Sequence, residues 1–341
     1  MLKLSVGYQH NREVPFSSVV MRYRDKIGEV YFPWIDQPSG RSMLGGCDGY
    51  FDYSLQSELI SELRTIKELG VKLNLLFNAN CYGDEAISRV LEQRTVSIID
   101  YLTDEGVCPD GITTASPAIA HVFKEHFCDI SVRASVNMKI GSIEGMGYVA
   151  PLFDGFCLAK ECNRDLERLA ELYAYAKENG KQVTLLANSG CLRNCSGQIF
   201  HDNMVAHEAQ ISKQNNMNFL PYTCYRVLRE VENHSLVLKN TWIRPEDIDR
   251  YEGLCDGIKL ATRMHALPAM VIDAYARRKY SGNLLDLFEP GHGPLLAPAV
   301  VDNDRFPSDW FERTTSCDKS CASCGYCDSV WEKVAVNAEE M

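Results

Sequence analysis

The stretch of the chain that decides its fold is Gln182-Val183-Thr184-Leu185-Leu186-Ala187-Asn188-Ser189-Gly190-Cys191. Its apolar first half predicts a buried β-strand. Its polar second half runs on to Cys195, His201 and His207 and predicts a loop after that strand. In α/β folds, catalytic and ligand side chains collect at such strand ends, because the framework behind them is rigid while the loops vary. We therefore expect a functional site where this strand ends.

The same pattern of a short apolar run recurs along the chain. The other strand-like runs are residues 4–8, 28–32, 71–77, 111–114, 129–133, 155–159 and 257–260. Helical patterns lie between them, at residues 55–69, 86–102, 165–179 and 245–251. Buried strands that alternate with amphipathic helices form parallel βαβ units, and eight such units close most naturally as a (β/α)8 or TIM-like barrel. A doubly wound open sheet is the alternative, although no Gly-x-Gly-x-x-Gly follows the first strand.

The composition narrows the classes of function. The chain has 341 residues, a formal net charge of -11 and fourteen cysteines. The acidic balance argues against non-specific binding to nucleic acid or to an anionic membrane surface, and favours small molecules or proteins as partners. Because no signal peptide is recognisable and no apolar run approaches the roughly 20 residues of a membrane span, we expect a cytoplasmic protein. In that compartment clustered cysteines are better explained by metal ligation than by disulfides.

The C-terminal part of the chain differs from the rest. A helical pattern at residues 266–280 is followed at 290–313 by a segment rich in proline, glycine and aspartate, which predicts an extended strap. Four cysteines then fall within eleven residues, at Cys317, Cys321, Cys324 and Cys327. Such spacings let four sulfurs converge on an iron–sulfur cluster or on a zinc ion, and incidental thiols are the third alternative. We therefore divide the chain into a barrel, residues 1–289, and a metal-binding extension, residues 290–341.

A second group of cysteines follows strand ends of the predicted barrel. Cys191 and Cys195 are separated by three residues, and Cys224 follows at a distance that lets the chain return over the same barrel mouth. Three thiolates on a [4Fe-4S] cluster leave one iron open to a substrate or to a fourth ligand. The candidates for this fourth ligand are Cys47, which we favour, and Cys81 or Cys162. An unmetallated thiol pair is the alternative for Cys191 and Cys195.

Further motifs lie along the predicted barrel. They are Glu29-Val30-Tyr31, Phe77-Asn78, Arg133-Ala134-Ser135-Val136-Asn137, Leu158-Ala159-Lys160-Glu161, the stretch around Cys191, Ile243-Arg244-Pro245-Glu246-Asp247-Ile248 and Gly257-Ile258-Lys259-Leu260-Ala261-Thr262-Arg263. In this order and spacing they resemble the peptidase U32 family, also called collagenase-like proteases. The chain departs from the family pattern where Ala261-Thr262 replaces a glutamate-glycine pair. The resemblance implies either a peptidase or an iron–sulfur enzyme, since several members of the family hydroxylate RNA bases or quinone precursors without molecular oxygen.

Four polar residues are candidates for catalysis. His201 and His207 are six residues apart and do not share a helix face; either can serve as a general acid or base near neutral pH, or as a cluster ligand. Helix capping and packing is the structural alternative for both. Arg133, at a strand end, can hold a carboxylate or phosphate with two hydrogen bonds. Its alternative is a structural salt bridge with Asp154 or with Glu161, which is itself the fourth catalytic candidate.

These observations lead to a prediction of function. We expect an iron–sulfur-dependent enzyme of the U32-like type, an oxygen-independent hydroxylase or a related redox enzyme that acts on a small molecule or nucleobase. Its substrate is expected to be anionic, and a protein partner or electron donor would serve the tail cluster. A cysteine- or metal-dependent peptidase and a partner-dependent iron–sulfur or zinc-binding subunit are the alternatives. The sequence contains no Gly-x-Ser-x-Gly and no His-Glu-x-x-His, so it shows neither of these hydrolase motifs.

Overall fold

A closed barrel of eight parallel strands forms the centre of the molecule. The computed structural model describes residues 1–41, 44–45 and 51–340. The strands are β1 (Lys3–Gly7), β2 (Ile27–Pro33), β3 (Lys72–Phe77), β4 (Gly111–Thr114), β5 (Ser131–Ala134), β6 (Gly155–Cys157), β7 (Gln182–Leu186) and β8 (Gly257–Leu260). They follow one another in chain order, and β8 pairs with β1. The predicted (β/α)8 barrel is confirmed, and the closing pair excludes the open sheet.

Helices surround the barrel and connect its strands. They are α1 (Phe16–Arg22), α2 (Tyr53–Glu68), α3 (Arg89–Asp104), α4 (Pro117–His126), α5 (Ile143–Val149), α6 (Leu166–Glu178), α7 (Gln198–Ala206), α8 (Glu208–Ile211), α9 (Thr223–Leu228), α10 (Pro268–Arg277), α11 (Gly293–Leu296), α12 (Trp310–Thr315), α13 (Cys321–Cys324) and α14 (Tyr326–Val334). The helical pattern at 245–251 is a 3-10 helix. The helix predicted at 266–280 is shorter, because Pro268 starts it and Arg278 adopts a left-handed conformation that ends it.

The sequence of α2 shows why these helices form where they do. Asp52 caps its first turn by accepting a hydrogen bond from the backbone N–H of Leu55 at 2.9 Å. Leu59, Leu63 and Ile66 follow at intervals of three or four residues and are fully buried against the barrel. Burial of each such side chain contributes about 1.5–3 kcal/mol. The apolar stripe therefore determines which face of the helix meets the strands.

The lumen of the barrel is polar. Glu29 on β2 contacts Arg133 on β5, two strands that are not neighbours, so this contact crosses the interior of the barrel. Lys259 on β8 lies in the same interior, and Asn74 accepts a hydrogen bond of 2.8 Å from the hydroxyl of Thr113. The apolar core lies instead between the outer faces of the strands and the helices. Burial of unpaired charges is costly, and the Glu29–Arg133 ion pair offsets part of that cost.

The C-terminal segment differs from the extended strap that the sequence predicted. Residues 290–313 contain α11, the start of α12 and strand β9 (Ala299–Val301), which pairs in antiparallel fashion with β10 (Ala335–Asn337). Trp310 is buried and stacks on Trp242 with ring centroids 5.7 Å apart. Val330 and Val334 of α14 belong to the same buried cluster as the barrel residues. The apolar side chains of this segment hold it against the barrel.

No helix in the described part of the chain combines the length and the apolar character of a membrane span.

Candidate functional site

Three cysteines lie close together at the carboxyl end of the barrel. Cys191 and Cys195 are in the loop between β7 and α7, and Cys224 is in the first turn of α9; all three are partly exposed. Burial, together with the nearby Cys191 and Cys195, raises the pKa of the Cys224 thiol to about 11. The structure thus brings together the three thiols that the sequence placed at the mouth.

Hydrogen bonds to backbone carbonyls hold the loop that carries Cys191. The Asn188 side chain donates hydrogen bonds of 2.9 Å to the carbonyls of Ala261 and Leu287. The N–H of Gly190 donates to the carbonyl of Glu289 at 3.1 Å. A Cβ atom at Gly190 would lie 2.1 Å from the carbonyl oxygen of Pro290, so only glycine permits this approach. The cysteine loop is therefore fixed to the segment that follows residue 286.

A small basic cavity opens beside this loop. It has a volume of about 70 Å³, and its lining includes Tyr31, Arg41, Lys259, Arg263 and Glu289. Arg41 donates from Nε to the Glu289 carboxylate at 2.9 Å. Lys259 Nζ lies 4.2 Å from the centre of the Tyr31 ring, and Arg263 donates to the Ser39 hydroxyl at 2.8 Å. Among the described lining residues, three cations thus face one carboxylate.

Burial sharpens the electrostatics of this cavity. Lys259 is only 8% exposed, and burial lowers the pKa of its amine. Burial alone would lower the pKa of the Arg41 guanidinium, but Glu289 and then Cys191 outweigh it and raise that pKa. Arg41 therefore lies within electrostatic reach of both the basic cavity and the cysteine loop. An incoming anion would be attracted to the cationic side chains that line this cavity.

A larger cavity adjoins the basic one. Its volume is about 670 Å³, and it shares Arg41 and Glu289 with the small cavity. His201 and Cys224 also line it, while much of the remaining lining is apolar, including Met264, Leu267, Met270, Leu285 and Phe288. Burial, and then the charge of Arg41, lowers the pKa of the His201 imidazole, so this imidazole is neutral near pH 7. The mouth thus combines an apolar chamber, an imidazole and a group of cationic side chains.

Arg133 does not face this mouth with a free guanidinium. Its Nη1 and Nη2 donate to the two carboxylate oxygens of Glu29 at 2.7 and 2.8 Å. Neither partner suggested by the sequence forms an ion pair with it, since Asp154 pairs with Lys124 at 2.7 Å and Glu161 lies in the 3-10 turn after β6. Arg133 thus forms a structural salt bridge, which was the alternative expected from the sequence. Its partner is Glu29, which the sequence analysis did not identify as such.

His207 lies apart from His201. Its Nδ1 is 2.7 Å from the Gln210 side-chain oxygen, and its ring lines the same cleft as the Cys81 thiol. Cys162 is buried in the apolar core, and burial raises the pKa of its thiol to about 11. Two of the candidate fourth ligands thus have other surroundings, and the third, Cys47, lies outside the described residues.

The tail cysteines share one cavity. Cys317, Cys321, Cys324 and Cys327 line a space of about 240 Å³. Burial, opposed by Arg164, raises the pKa of the Cys327 thiol, and Cys321 adds to the rise. Arg193, between the two cysteines of the mouth loop, donates from Nη2 to Cys321 Sγ at 3.2 Å. Within residues 1–41, 44–45 and 51–340, no three His, Cys, Asp or Glu side chains form a ready site for a metal ion.

Sequence reasoning missed most of the charged groups at the mouth. Arg41 and Glu289 are 248 positions apart and meet only in the folded chain. Lys259 and Arg263 were part of a recognised motif, but no role was assigned to them. The available signal was a charged residue inside a short apolar strand, as at Glu29 and Lys259, which marks a side chain that points into the lumen.

The closed barrel with polar groups at its strand ends places the chain among the (β/α)8-barrel proteins, which carry their sites at this face. No protein-family model matches the chain. It is 24% identical over 287 residues to the uncharacterized protease MJ1657 of Methanocaldococcus jannaschii, and the aligned region covers 81% of each chain. The solved structure of the U32 peptidase Mk0906 has a similar fold, with a TM-score of 0.54 and 17% identity over 76% of this chain and 92% of that one. These comparisons support the predicted resemblance to the peptidase U32 family.

Proposed function

We propose that the chain is an iron–sulfur-dependent modification enzyme, an oxygen-independent hydroxylase or a related redox enzyme, whose substrate or co-substrate carries an anionic group. The observation that carries this proposal is the position of Arg41. It lines both mouth cavities and lies near enough to Cys191 for the thiolate to raise its pKa. An anion held by Arg41, Lys259 and Arg263 would therefore be next to the three mouth thiols.

The cysteine groups at the mouth and in the tail are donor sets that iron–sulfur clusters and zinc ions both use. A tetrahedral zinc site with Zn–S bonds of about 2.3 Å brings its sulfurs to roughly 3.8 Å from one another. The described residues contain no such convergent group, although four thiols line one cavity of about 240 Å³ in the tail. A cuboidal cluster holds its thiolates further apart and fills more volume. Cys191, Cys195 and Cys224 would hold such a cluster at the mouth, where it would supply one-electron chemistry and Lewis acidity.

The residues of the chain itself would bind and orient the substrate. The three cations of the basic cavity would hold an anionic group, and the side chains of Met264 and Phe288 in the large cavity would exclude water from its apolar body. His201 would accept a proton at its imidazole, because its lowered pKa keeps it neutral near pH 7. Arg133 would act only indirectly, as the partner of Glu29 beneath the mouth.

The tail is suited to exchange electrons with a partner. Cys317 and Cys324 are exposed, so a cluster bound there would be accessible to an electron donor. Arg193 connects Cys321 to the loop that carries Cys191 and Cys195. Arg193 thus brings the tail cysteines into contact with the loop of the mouth cysteines.

Metal analysis of anaerobically purified protein tests the proposal. Wild-type protein should contain iron and acid-labile sulfide in equal amounts. Replacement of Cys191, Cys195 and Cys224 by alanine should remove one cluster's worth of iron, whereas alanine at Cys108 and Cys128 should remove none. Unchanged iron in the triple variant would refute the mouth cluster. His201→Gln should keep its iron, and loss of iron there would make His201 a ligand rather than a proton acceptor.

Peptide cleavage is the alternative function, because the relatives are named as a protease and a peptidase. Cleavage that continues after complete removal of iron would favour it.

A further inference from the structure

A second cleft lies at the C-terminal end of α7, whereas the loop of the mouth cysteines precedes the N-terminal end of that helix. It has a volume of about 300 Å³, and its lining includes Asp36, Cys81, Glu85, Arg94, His207 and Gln210. Cys81 follows β3, and His207 directly follows the last residue of α7. The end of β3 and the end of α7 thus bring together a thiol and an imidazole that are 126 positions apart in the chain.

The three polar side chains form an ordered chain of contacts. The Cys81 thiol and the His207 ring line the same cleft, and the imidazole is near enough to lower the pKa of the thiol. The Nδ1 of that ring is 2.7 Å from the side-chain oxygen of Gln210, so Nδ1 carries a hydrogen and donates it. This leaves Nε2 as the ring atom available to the thiol. The backbone N–H of Gly83 also donates to Cys81 Sγ, at 3.4 Å. A nucleophile, a base and a group that orients the base stand in the order that thiol catalysis requires.

The electrostatic state of Cys81 agrees with this geometry. The interaction with His207, followed by the hydrogen bond from Gly83, lowers the pKa of the Cys81 thiol. The same interaction, followed by the one with Gln210, raises the pKa of His207. Burial acts in the opposite direction on Cys162 and Cys255, whose thiols have pKa values raised to about 11 and 12.

The charges around the cleft select among possible substrates. Glu85 is paired with Arg94, with bonds of 2.6 and 3.0 Å, so these two charges largely cancel. Asp36 and Asp84 also line the cleft and add negative charge. A substrate with a basic group near its reacting carbonyl would therefore be attracted, and an acidic one repelled.

We propose that Cys81, His207 and Gln210 form a nucleophilic thiol site, separate from the mouth cysteines, that hydrolyses amides or esters carrying a nearby basic group. Cys81 Sγ attacks the carbonyl carbon and forms a C–S bond, while His207 takes the thiol proton. The C–N or C–O bond then breaks, and His207 gives the proton to the leaving nitrogen or oxygen. Water hydrolyses the thioester with His207 accepting its proton, which yields the acid and restores the thiol.

Alkylation kinetics test whether the thiol is activated. Iodoacetamide labelling of the full chain, followed by peptide mapping, should show Cys81 reacting about tenfold faster at pH 7 than the exposed Cys128. A lowered pKa keeps a thiolate present as the pH falls, so labelling of Cys81 should persist at pH values below the range of an ordinary cysteine thiol. His207→Gln should slow labelling of Cys81 about tenfold at pH 7, since a thiol of pKa about 8.5 is only about 3% ionised there. Equal labelling rates for Cys81 and Cys128 would overturn the proposal.

Acyl transfer is measured with 4-nitrophenyl esters of N-acetyl-lysine and N-acetyl-glutamate. We expect a burst of 4-nitrophenolate, an acyl mass on the Cys81 peptide and a preference of at least tenfold for the lysine ester. Cys81→Ala should abolish the burst, whereas Cys128→Ala should retain it. An undiminished burst in Cys81→Ala, or an adduct on another cysteine, would overturn the assignment. Iron content separates this proposal from the mouth cluster, because Cys81→Ala should keep all its iron, and loss of iron would make Cys81 a ligand instead.

Discussion

Replacement of Arg133 by methionine should destabilise the barrel, because its guanidinium is part of a buried ion pair. Arg133 and Glu29 are 15% and 13% exposed and meet through two hydrogen bonds of 2.7 and 2.8 Å. The Ser5 hydroxyl donates to the same carboxylate at 2.6 Å. Methionine preserves most of the side-chain volume but leaves the Glu29 carboxylate without its bidentate partner in the lumen.

The expected loss of stability is large. Removing one partner of a buried ion pair costs about 3–5 kcal/mol, because a charge is left buried without compensation. Lys259 lies in the same lumen and lowers the pKa of the Glu29 carboxyl slightly, so the lower end of this range is expected. The corresponding fall in melting temperature is about 4 to 7 °C for a chain of 341 residues. Adding Glu29→Gln to the variant removes the unpaired charge and should restore most of the loss.

Urea and thermal unfolding, followed by circular dichroism, measure the effect. The control is Arg64→Met, since Arg64 and Glu105 form an exposed pair whose loss should cost less than about 1 kcal/mol. A variant at Arg133 as stable as wild type, with weakened binding of an anionic ligand, would refute the structural role and restore the substrate clamp suggested by the sequence.

The dependence of stability on pH provides a second measurement of the same pair. Burial alone would raise the pKa of the Glu29 carboxyl, but the charge and hydrogen bonds of Arg133 outweigh burial and lower it. A lowered pKa in the folded state means that the pair stabilises the protein fully above the unfolded value of about 4.3 and loses this contribution as the pH falls. The Arg133→Met variant should therefore lose less stability on acidification than the wild type does.

Two further predictions concern the segments that cover the barrel. Truncation before Cys317 removes the buried Val330 and the strand that pairs with β9. We therefore expect the free energy of unfolding, measured with urea, to fall by about 5 kcal/mol. Replacement of the four tail cysteines by serine should lower it far less. Gly190→Ala should lower the melting temperature by several degrees, because its Cβ would lie 2.1 Å from the Pro290 carbonyl oxygen, whereas Gly257→Ala, with 3.6 Å to its nearest atom, should be tolerated. A stable truncated chain, or equal melting temperatures for the two alanine variants, would contradict these assignments.

The barrel itself was predictable because its signal is local. Each strand is a short apolar run that sequence periodicity detects without knowledge of the partner, and all eight runs became strands of the barrel. The spacing of the tail cysteines is equally local, so their common cavity follows from a separation of three or four residues. Element ends were less predictable, as the shorter α10 shows, because Arg278 adopts a left-handed conformation that its residue type does not announce.

The C-terminal segment shows where local reasoning was insufficient. Its prolines, glycines and aspartates predicted an extended strap, but Leu296 and Trp310 are buried and anchor short helices against the barrel. Composition describes the tendency of a segment in isolation, whereas its final conformation depends on the apolar surface that the barrel offers it.

What the sequence alone determined is the architecture and the location of the mouth cysteines, because strand alternation and loop position are read from neighbouring residues. Only the tertiary structure decided which polar groups meet. Arg133 pairs with Glu29 across 104 positions, and Arg41 pairs with Glu289 across 248. Cys81 meets His207 in the same way, through elements that are distant in the chain. These contacts depend on closure of the barrel and on the register of its strands, which place distant side chains at one height, and no local pattern of residues specifies that height.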